Sequence, residues 1–218
     1  MDCVVVNRDG GDAFFAALNS LKSQAGVDAS ILVVDNASQA AERQRLAAEF
    51  PEARLVTFSR NLGFAGAANE GIARTRSPFV LLLNNDAVVA PDYVARLAAR
   101  LAFDDRLGAV QGLVLTGDGR RVDTAGLDWN GRGEAVPVLA GASPEDAGKD
   151  VFEVSGVSAT ATLYRRAAHE LQPSAATGIQ LTPFAPLSVP SGPMIVWALA
   201  FVVITLLLAI RTFRHRPL

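Results

Sequence analysis

The sequence predicts an α/β fold with a mostly parallel sheet and flanking helices, plus one C-terminal transmembrane helix. Three observations carry this. Four short apolar runs, "CVVVN", "SILVVDN", "ARLVTFSRN" and "PFVLLLNND", are rich in Val, Leu and Ile and mostly lack polar alternation, the pattern of strands buried on both faces. Helical patterns separate them, and strand–helix–strand alternation gives a parallel sheet with right-handed crossovers. Finally, residues 171–210 contain no charged side chain, whereas charges recur regularly before them.

Each element has its own justification. After the first run, "GDAFFAALNSLKSQA" sets Phe14, Leu18 and Leu21 on one helical face, with Asp12 as the expected N-cap. "SQAAERQRLAAEF" reads as an alanine-rich, charged helix starting at Ser38. "GFAGAANEGIART" is a small-residue helix able to press close to a sheet. "PDYVARLAARLAF" carries Pro91 in its first turn and an apolar stripe of Val94, Leu97 and Leu101. "GAVQGLVL" is a further apolar stretch, and the Gly- and Asp-rich residues 117–150 read as loops with room for a hairpin. "VFEVSGVSATATLYRRA" is expected to return to the sheet and enter a helix.

At 218 residues the chain holds one substantial domain and an appendage. We divide it into an α/β domain (1–170), a Pro-rich uncharged linker (171–193), a transmembrane helix (194–210) and a basic tail (211–218). The 17 residues from 194 to 210 would span about 26 Å as a helix, against a hydrocarbon core of ~30 Å. Trp197 would anchor one interface, and Arg211, Arg214 and Arg216 cap the other end. A buried core helix is the competing reading. The arginines favour a cytoplasmic tail, yet no secretory signal is evident to carry the body across the membrane. The expectation is therefore a single-pass protein of the plasma (inner) membrane with its body facing the cytosol.

Formal charge is −2 and the Lys and Arg residues are scattered, so no nucleic-acid partner is expected. The single cysteine, Cys3, can form neither an internal disulfide nor a cysteine-based metal cage.

Polar residues end all four apolar runs: Asn7 and Arg8, Asp35 and Asn36, Arg60 and Asn61, then Asn84, Asn85 and Asp86. Turns favour Asn and Asp, so any one of these could be a plain turn. Open parallel sheets bind ligands outside the carboxyl ends of their strands, and four such ends in succession favour a shared cleft. The familiar cradles are absent: no P-loop, no G-x-G-x-x-G after the first run, no G-x-S-x-G elbow. A carboxylate site remains. Mg²⁺ and Mn²⁺ take oxygen ligands, and Mg²⁺ is commonly held by one or two carboxylates plus substrate phosphates. Asp86 suits that role, while Asp35 suits a hydrogen bond to a base or ribose.

"VVVNRDGGD", "ILVVDNAS", "RNLGFAGAANEGI", "VLLLNNDAVVAPDYV", "DTAGLDWNGRG" and "VSGVSATATLYRRA", in this order over roughly residues 2–168, resemble the family-2 glycosyltransferases, especially the rhamnosyltransferase-like branch. The resemblance implies an A-type glycosyltransferase fold binding a nucleotide-diphospho-sugar donor, with a glycan or lipid-linked acceptor and a divalent metal (Mn or Mg). It implies that Asn7 and Arg8 line the nucleotide pocket, joined there by Asn36, and that Asp35 meets the base. Asn61 and Gly63 would belong to the pocket's helical wall. "NND" stands where the family carries its DXD-type motif, implying Asn85 at the ribose and Asp86 on the metal, with Gly156 near the transferred sugar. The implied reaction is inverting transfer to an acceptor hydroxyl, in cell-envelope polysaccharide or glycolipid synthesis.

The family's Glu-Asp pair, which carries the catalytic base, is not found. Beyond Asp150 there is no aspartate, and only Glu153 and Glu170 carry carboxylates. Glu153 would be strand-borne in the family pattern, which leaves Glu170 as the candidate base. A catalytically incomplete nucleotide-sugar-binding protein or truncated remnant is therefore the alternative. A nucleotidyltransferase is a third reading, without a basic, glycine-rich segment to receive a triphosphate.

Overall fold

The computed structural model describes residues 1–148 and 150–170. Ten strands and five helices follow in chain order: β1 (Asp2–Asn7), α1 (Gly11–Lys22), β2 (Ser30–Asn36), α2 (Ala40–Glu49), β3 (Arg54–Phe58), α3 (Gly63–Ala73), β4 (Phe79–Asn84), α4 (Tyr93–Phe103), β5 (Ala109–Gln111), β6 (Val114–Leu115), β7 (Val122–Thr124), β8 (Leu127–Trp129), β9 (Ala135–Pro137), β10 (Ala161–Arg165) and α5 (Arg166–Glu170). Six strands form the main sheet in the order β3-β2-β1-β4-β10-β5. β1 to β4 pair in parallel, and β10 runs antiparallel between β4 and β5. The expected mostly parallel α/β sheet is thus present, with one reversed strand.

Strand periodicity sorts the core into two layers. Cys3 and Val5 of β1 face one side with Ile31, Val33, Leu81 and Leu83, against α1, α2 and α4. Val4 and Val6 face the other side with Leu32, Val34, Val80 and Leu82, against α3. Phe14, Leu18 and Leu21 of α1 and Val94 and Leu101 of α4 are fully buried, as their spacing predicts. Each such side chain contributes about 1.5–3 kcal/mol of burial. Burial also pushes the Cys3 thiol up to about 12, so it stays protonated and inert.

The small residues of α3 serve close packing. A β-carbon on Gly71 would lie 2.6 Å from Val4 Cγ1 and 2.7 Å from Val34 Cγ2. Only a helix without a side chain there can sit this near the sheet.

Several boundaries differ from the sequence expectation. β3 is an edge strand, and its Leu55 is 42% exposed, so this run is not buried on both faces. α1 is preceded by Gly10, and Asp12 lies inside the first turn without capping it. α2 begins at Ala40, two residues after Ser38, and α4 begins at Tyr93, beyond Pro91. Residues 117–150 hold the second strand of one hairpin, β6–β7, and both strands of another, β8–β9. Glu153 lies in a loop, not on a strand. Among the described residues no helix is long and apolar enough to cross a membrane. The expected transmembrane helix, residues 194–210, its linker and the basic tail lie outside the described residues.

Candidate active site at the sheet's switch point

β1 sits between β2 and β4. The chain leaves β1 outward through β2 and β3, then returns to β4 on the opposite side. Loops leaving β1 and β4 therefore diverge, and such a switch point opens a crevice at the carboxyl edge. Val6 pairs with Asn84 and Asn7 with Asp35, which sets the ends of β4, β1 and β2 side by side.

The divergence is bridged by two amides. Asn85 Nδ2 donates to Asn7 Oδ1 at 2.8 Å, although 78 residues separate them. Asn7 is buried, and its Nδ2 donates to Glu42 Oε1 at 2.5 Å. Gly10 N–H donates to the same oxygen at 3.2 Å and Gly11 N–H to Oε2 at 2.7 Å. Glu42, from α2, thereby caps α1 in the place expected for Asp12. Carboxylates are favoured at helix N-termini by the dipole and by the free N–H groups there. No local sequence signal marks Glu42, because its partners lie more than thirty positions away.

Asp35 and Asn36 serve the second loop. Asp35 is 2% exposed; its Oδ1 accepts from Ser38 N–H at 2.9 Å, and its Oδ2 lies 3.4 Å from Arg43 Nη1. Asn36 Nδ2 donates to Asn61 Oδ1 at 2.8 Å, and its Oδ1 accepts from Leu62 N–H at 2.8 Å. Gly63 opens α3 and donates its N–H to Asn61 Oδ1 at 2.8 Å. Asn7, Asp35, Ser38, Glu42 and Arg43 enclose a space too narrow for a water molecule. Asp35 and Asn36 thus hold the turns together at the carboxyl edge, beside the more exposed polar rim of the crevice.

That rim comprises Arg8 and Asp86. Both are exposed and make no hydrogen bond or ion pair among the described residues. No group of three His, Cys, Asp or Glu side chains able to hold a metal occurs among the described residues. One free carboxylate fits a cation whose other ligands are phosphate and water, and it does not fit an all-protein cage. Gly156 pairs with Leu127 through both backbone groups, at 3.0 and 2.9 Å. Four residues on, Thr160 O accepts from Asn84 N–H at 2.9 Å, which ties this segment to the end of β4. Glu170 is the last residue of α5, and its side chain lies outside the described atoms.

The chain matches the family described as "Glycosyl transferase family 2" over residues 4–171. It belongs to that family. Among curated proteins it is similar to the succinoglycan biosynthesis protein ExoO of Rhizobium meliloti (strain 1021), with 34% identity over 119 residues, 54% of this chain and 34% of that protein. Among solved structures it resembles the mannosyltransferase PcManGT from Pyrobaculum calidifontis in complex with GDP-Man and Mn²⁺. That match has a TM-score of 0.51 at 18% identity, over 78% of this chain and 45% of that one. It also resembles S. aureus TarS 1-349 in complex with UDP-GlcNAc, with a TM-score of 0.55 at 15% identity, over 78% and 46% of the two chains. The family-2 chain described here spans about a third of the curated relative and less than half of these solved chains. At these identities the solved structures establish the shared fold.

Proposed function

We propose that this chain binds a nucleotide-diphospho-sugar at the carboxyl ends of β1 and β4, as the donor half of a glycosyltransferase acting in cell-envelope polysaccharide or glycolipid synthesis. The observation that carries the reading is the Asn7–Asn85 bridge across the switch point, with Arg8 and Asp86 free at its rim. Arg8 would meet the diphosphate, and Asn85 the ribose. Asp86 would hold a divalent cation, Mn or Mg, whose chemistry is to neutralise charge developing on the departing diphosphate. The relatives point the same way: one is named for succinoglycan biosynthesis, another was solved with GDP-Man and Mn²⁺.

Transfer would be inverting: an acceptor hydroxyl on a glycan or lipid-linked acceptor attacks the anomeric carbon, and the nucleoside diphosphate leaves. The body would lie on the cytosolic side of the plasma (inner) membrane, anchored by residues 194–210, where the donor is made.

A specific observation favours a second reading, donor binding without transfer. Beyond Asp150 the sequence offers only Glu153 and Glu170 as carboxylate bases. Glu153 is exposed in a loop, and Glu170 ends a five-residue helix. Loss of a general base removes a contribution of about 10²–10⁴-fold. Incubating purified chain with labelled donors separates the two readings, because only the first yields free or transferred sugar.

The donor site itself is tested by titration calorimetry with GDP and UDP, with and without Mn²⁺. Binding should require the metal and be abolished by Asp86→Ala. Unchanged affinity in that variant would defeat the assignment.

A further inference from the structure

Glu42, Asn7 and Asn85 form a directional hydrogen-bond relay from α2 to the rim of the crevice. We propose that Glu42 is a positioning residue: through Asn7 it fixes which face of the Asn85 amide is presented to a bound nucleotide. The inference rests on the donor-site reading for its functional consequence, and on geometry alone for the relay.

The direction follows from what each group can do. An ionised carboxylate only accepts, whereas an amide has one accepting and one donating end. Glu42 Oε1 accepts from Gly10 N–H and Oε2 from Gly11 N–H, so both oxygens are held by donors that cannot be reversed. Asn7 must then turn its NH₂ to Glu42, which leaves Oδ1 toward Asn85. Asn85 must answer with its NH₂, so its carbonyl oxygen points away from Asn7. That oxygen accepts no hydrogen bond among the described residues. A carbonyl oxygen beside Asp86 can accept from a ribose hydroxyl or ligate a hard cation; an NH₂ in the same place could still donate to a hydroxyl oxygen but would repel the cation.

Gly10 completes the device. A β-carbon there would lie 2.5 Å from Asn85 Nδ2, 2.7 Å from Asn7 Oδ1 and 2.9 Å from Phe14 Cβ. The α1 turn thus closes directly over the two amides, and any side chain would separate them.

Charge relocation tests the relay. In Glu42→Gln the new amide keeps its oxygen best on Gly11, whose contact at 2.7 Å is shorter than that of Gly10 at 3.2 Å. Its NH₂ then faces Asn7, which flips, and Asn85 flips in turn. In Asn85→Asp alone, Asn7 is trapped between two carboxylates that both demand its NH₂. The double variant is compatible again: every link runs in reverse, and position 85 still presents an oxygen outward.

We expect each single substitution to lower the thermal midpoint of the full chain by about 3–12 °C, the scale of one hydrogen bond to a charged group in a chain of this size. The double variant should lie above the sum of the two losses. It should not recover fully, because Glu42→Gln forfeits one backbone contact in either background. For GDP or UDP with Mn²⁺, Glu42→Gln should bind about tenfold more weakly, because it turns an NH₂ outward, and the double variant should recover most of the loss, because position 85 again presents an oxygen. A plain capping role for Glu42 gives additive losses, which would overturn the relay, as would Glu42→Gln binding as tightly as the parent. The two readouts separate the claims. Coupled midpoints without nucleotide binding would uphold the relay and defeat the donor site. Metal-dependent binding with additive midpoints would do the reverse.

Discussion

Ala37 and Asp9 hold left-handed backbone, at φ +70° and +49°, in the two turns that leave β2 and β1. The turns are tied to each other: Asp9 N–H donates to Ser38 Oγ at 3.2 Å, and Gln39 N–H donates to Asp9 Oδ1 at 2.8 Å. Asp tolerates this conformation, but alanine gains nothing there, at a cost of about 1–2 kcal/mol. Replacing it with glycine relieves that strain and adds roughly 0.5–1 kcal/mol of unfolded-state entropy to lose. Ala37→Gly should therefore stabilise the chain by about 0.5 kcal/mol, read as a higher urea midpoint with unchanged slope. A lower midpoint would mean that the turn is not strained. At this scale the sequence displays the residue types but not their partners. Asn7, Asn85 and Asp86 were legible as polar strand ends. That Asn7 faces Glu42 was not legible, because the contact depends on how two distant segments meet.

Helices that bury one face were readable from their spacing, since a 3.6-residue period leaves few alternatives for Val94, Leu97 and Leu101. Strands of two or three residues, such as β6 to β9, are too short to carry a period, so the sequence leaves room for a hairpin in residues 117–150 without placing its strands. The edge position of β3 was equally hidden, because strand order is set by crossovers and not by the run itself. Element packing yields its own prediction at Gly71. Alanine is the better helix former by about 1 kcal/mol. Its β-carbon would nevertheless press on Val4 and Val34 at 2.6 and 2.7 Å, and overpacking costs about 1–3 kcal/mol. Gly71→Ala should thus destabilise in a denaturant titration. If helix propensity won, the midpoint would rise instead, and α3 would have to sit farther from the sheet.

Across the whole molecule, the sheet's two ends have different tasks. At the end opposite the crevice, Asp2 opens β1 and anchors the connection between α3 and β4. Its Oδ2 accepts from Arg76 N–H at 2.8 Å and Ser77 N–H at 2.9 Å, and Arg54 Nη1 lies 3.8 Å from Oδ1. Burial pushes this carboxyl upward, but the Ser77 and Arg76 donors, aided by Arg54, outweigh it and hold the group below its ordinary value of 3.8. The folded state thus binds this proton less readily than the unfolded chain. Its contribution is complete above pH 3.8 and is lost as pH falls toward the depressed folded value. Asp2→Asn should be less stable than the parent at neutral pH, with the difference narrowing below about pH 4 in acid titrations followed by circular dichroism. A constant difference across that range would mean that the carboxylate charge is not what holds the connection.

The proposed donor site lies at the crevice end. A second cleft, of about 540 Å³, lies at the β6–β7 hairpin between Thr116, Asp118, Arg120, Arg121 and Ser143. None of these residues is among those that resemble the family's donor site. Paramagnetic broadening of backbone amide signals by Mn²⁺, with GDP or UDP present, distinguishes the two places directly. Residues 84–87 and 8–11 should broaden first, only when metal and nucleotide are added together, and Asp86→Ala should abolish the effect. Broadening centred on residues 116–121, or unaltered in the variant, would contradict this placement.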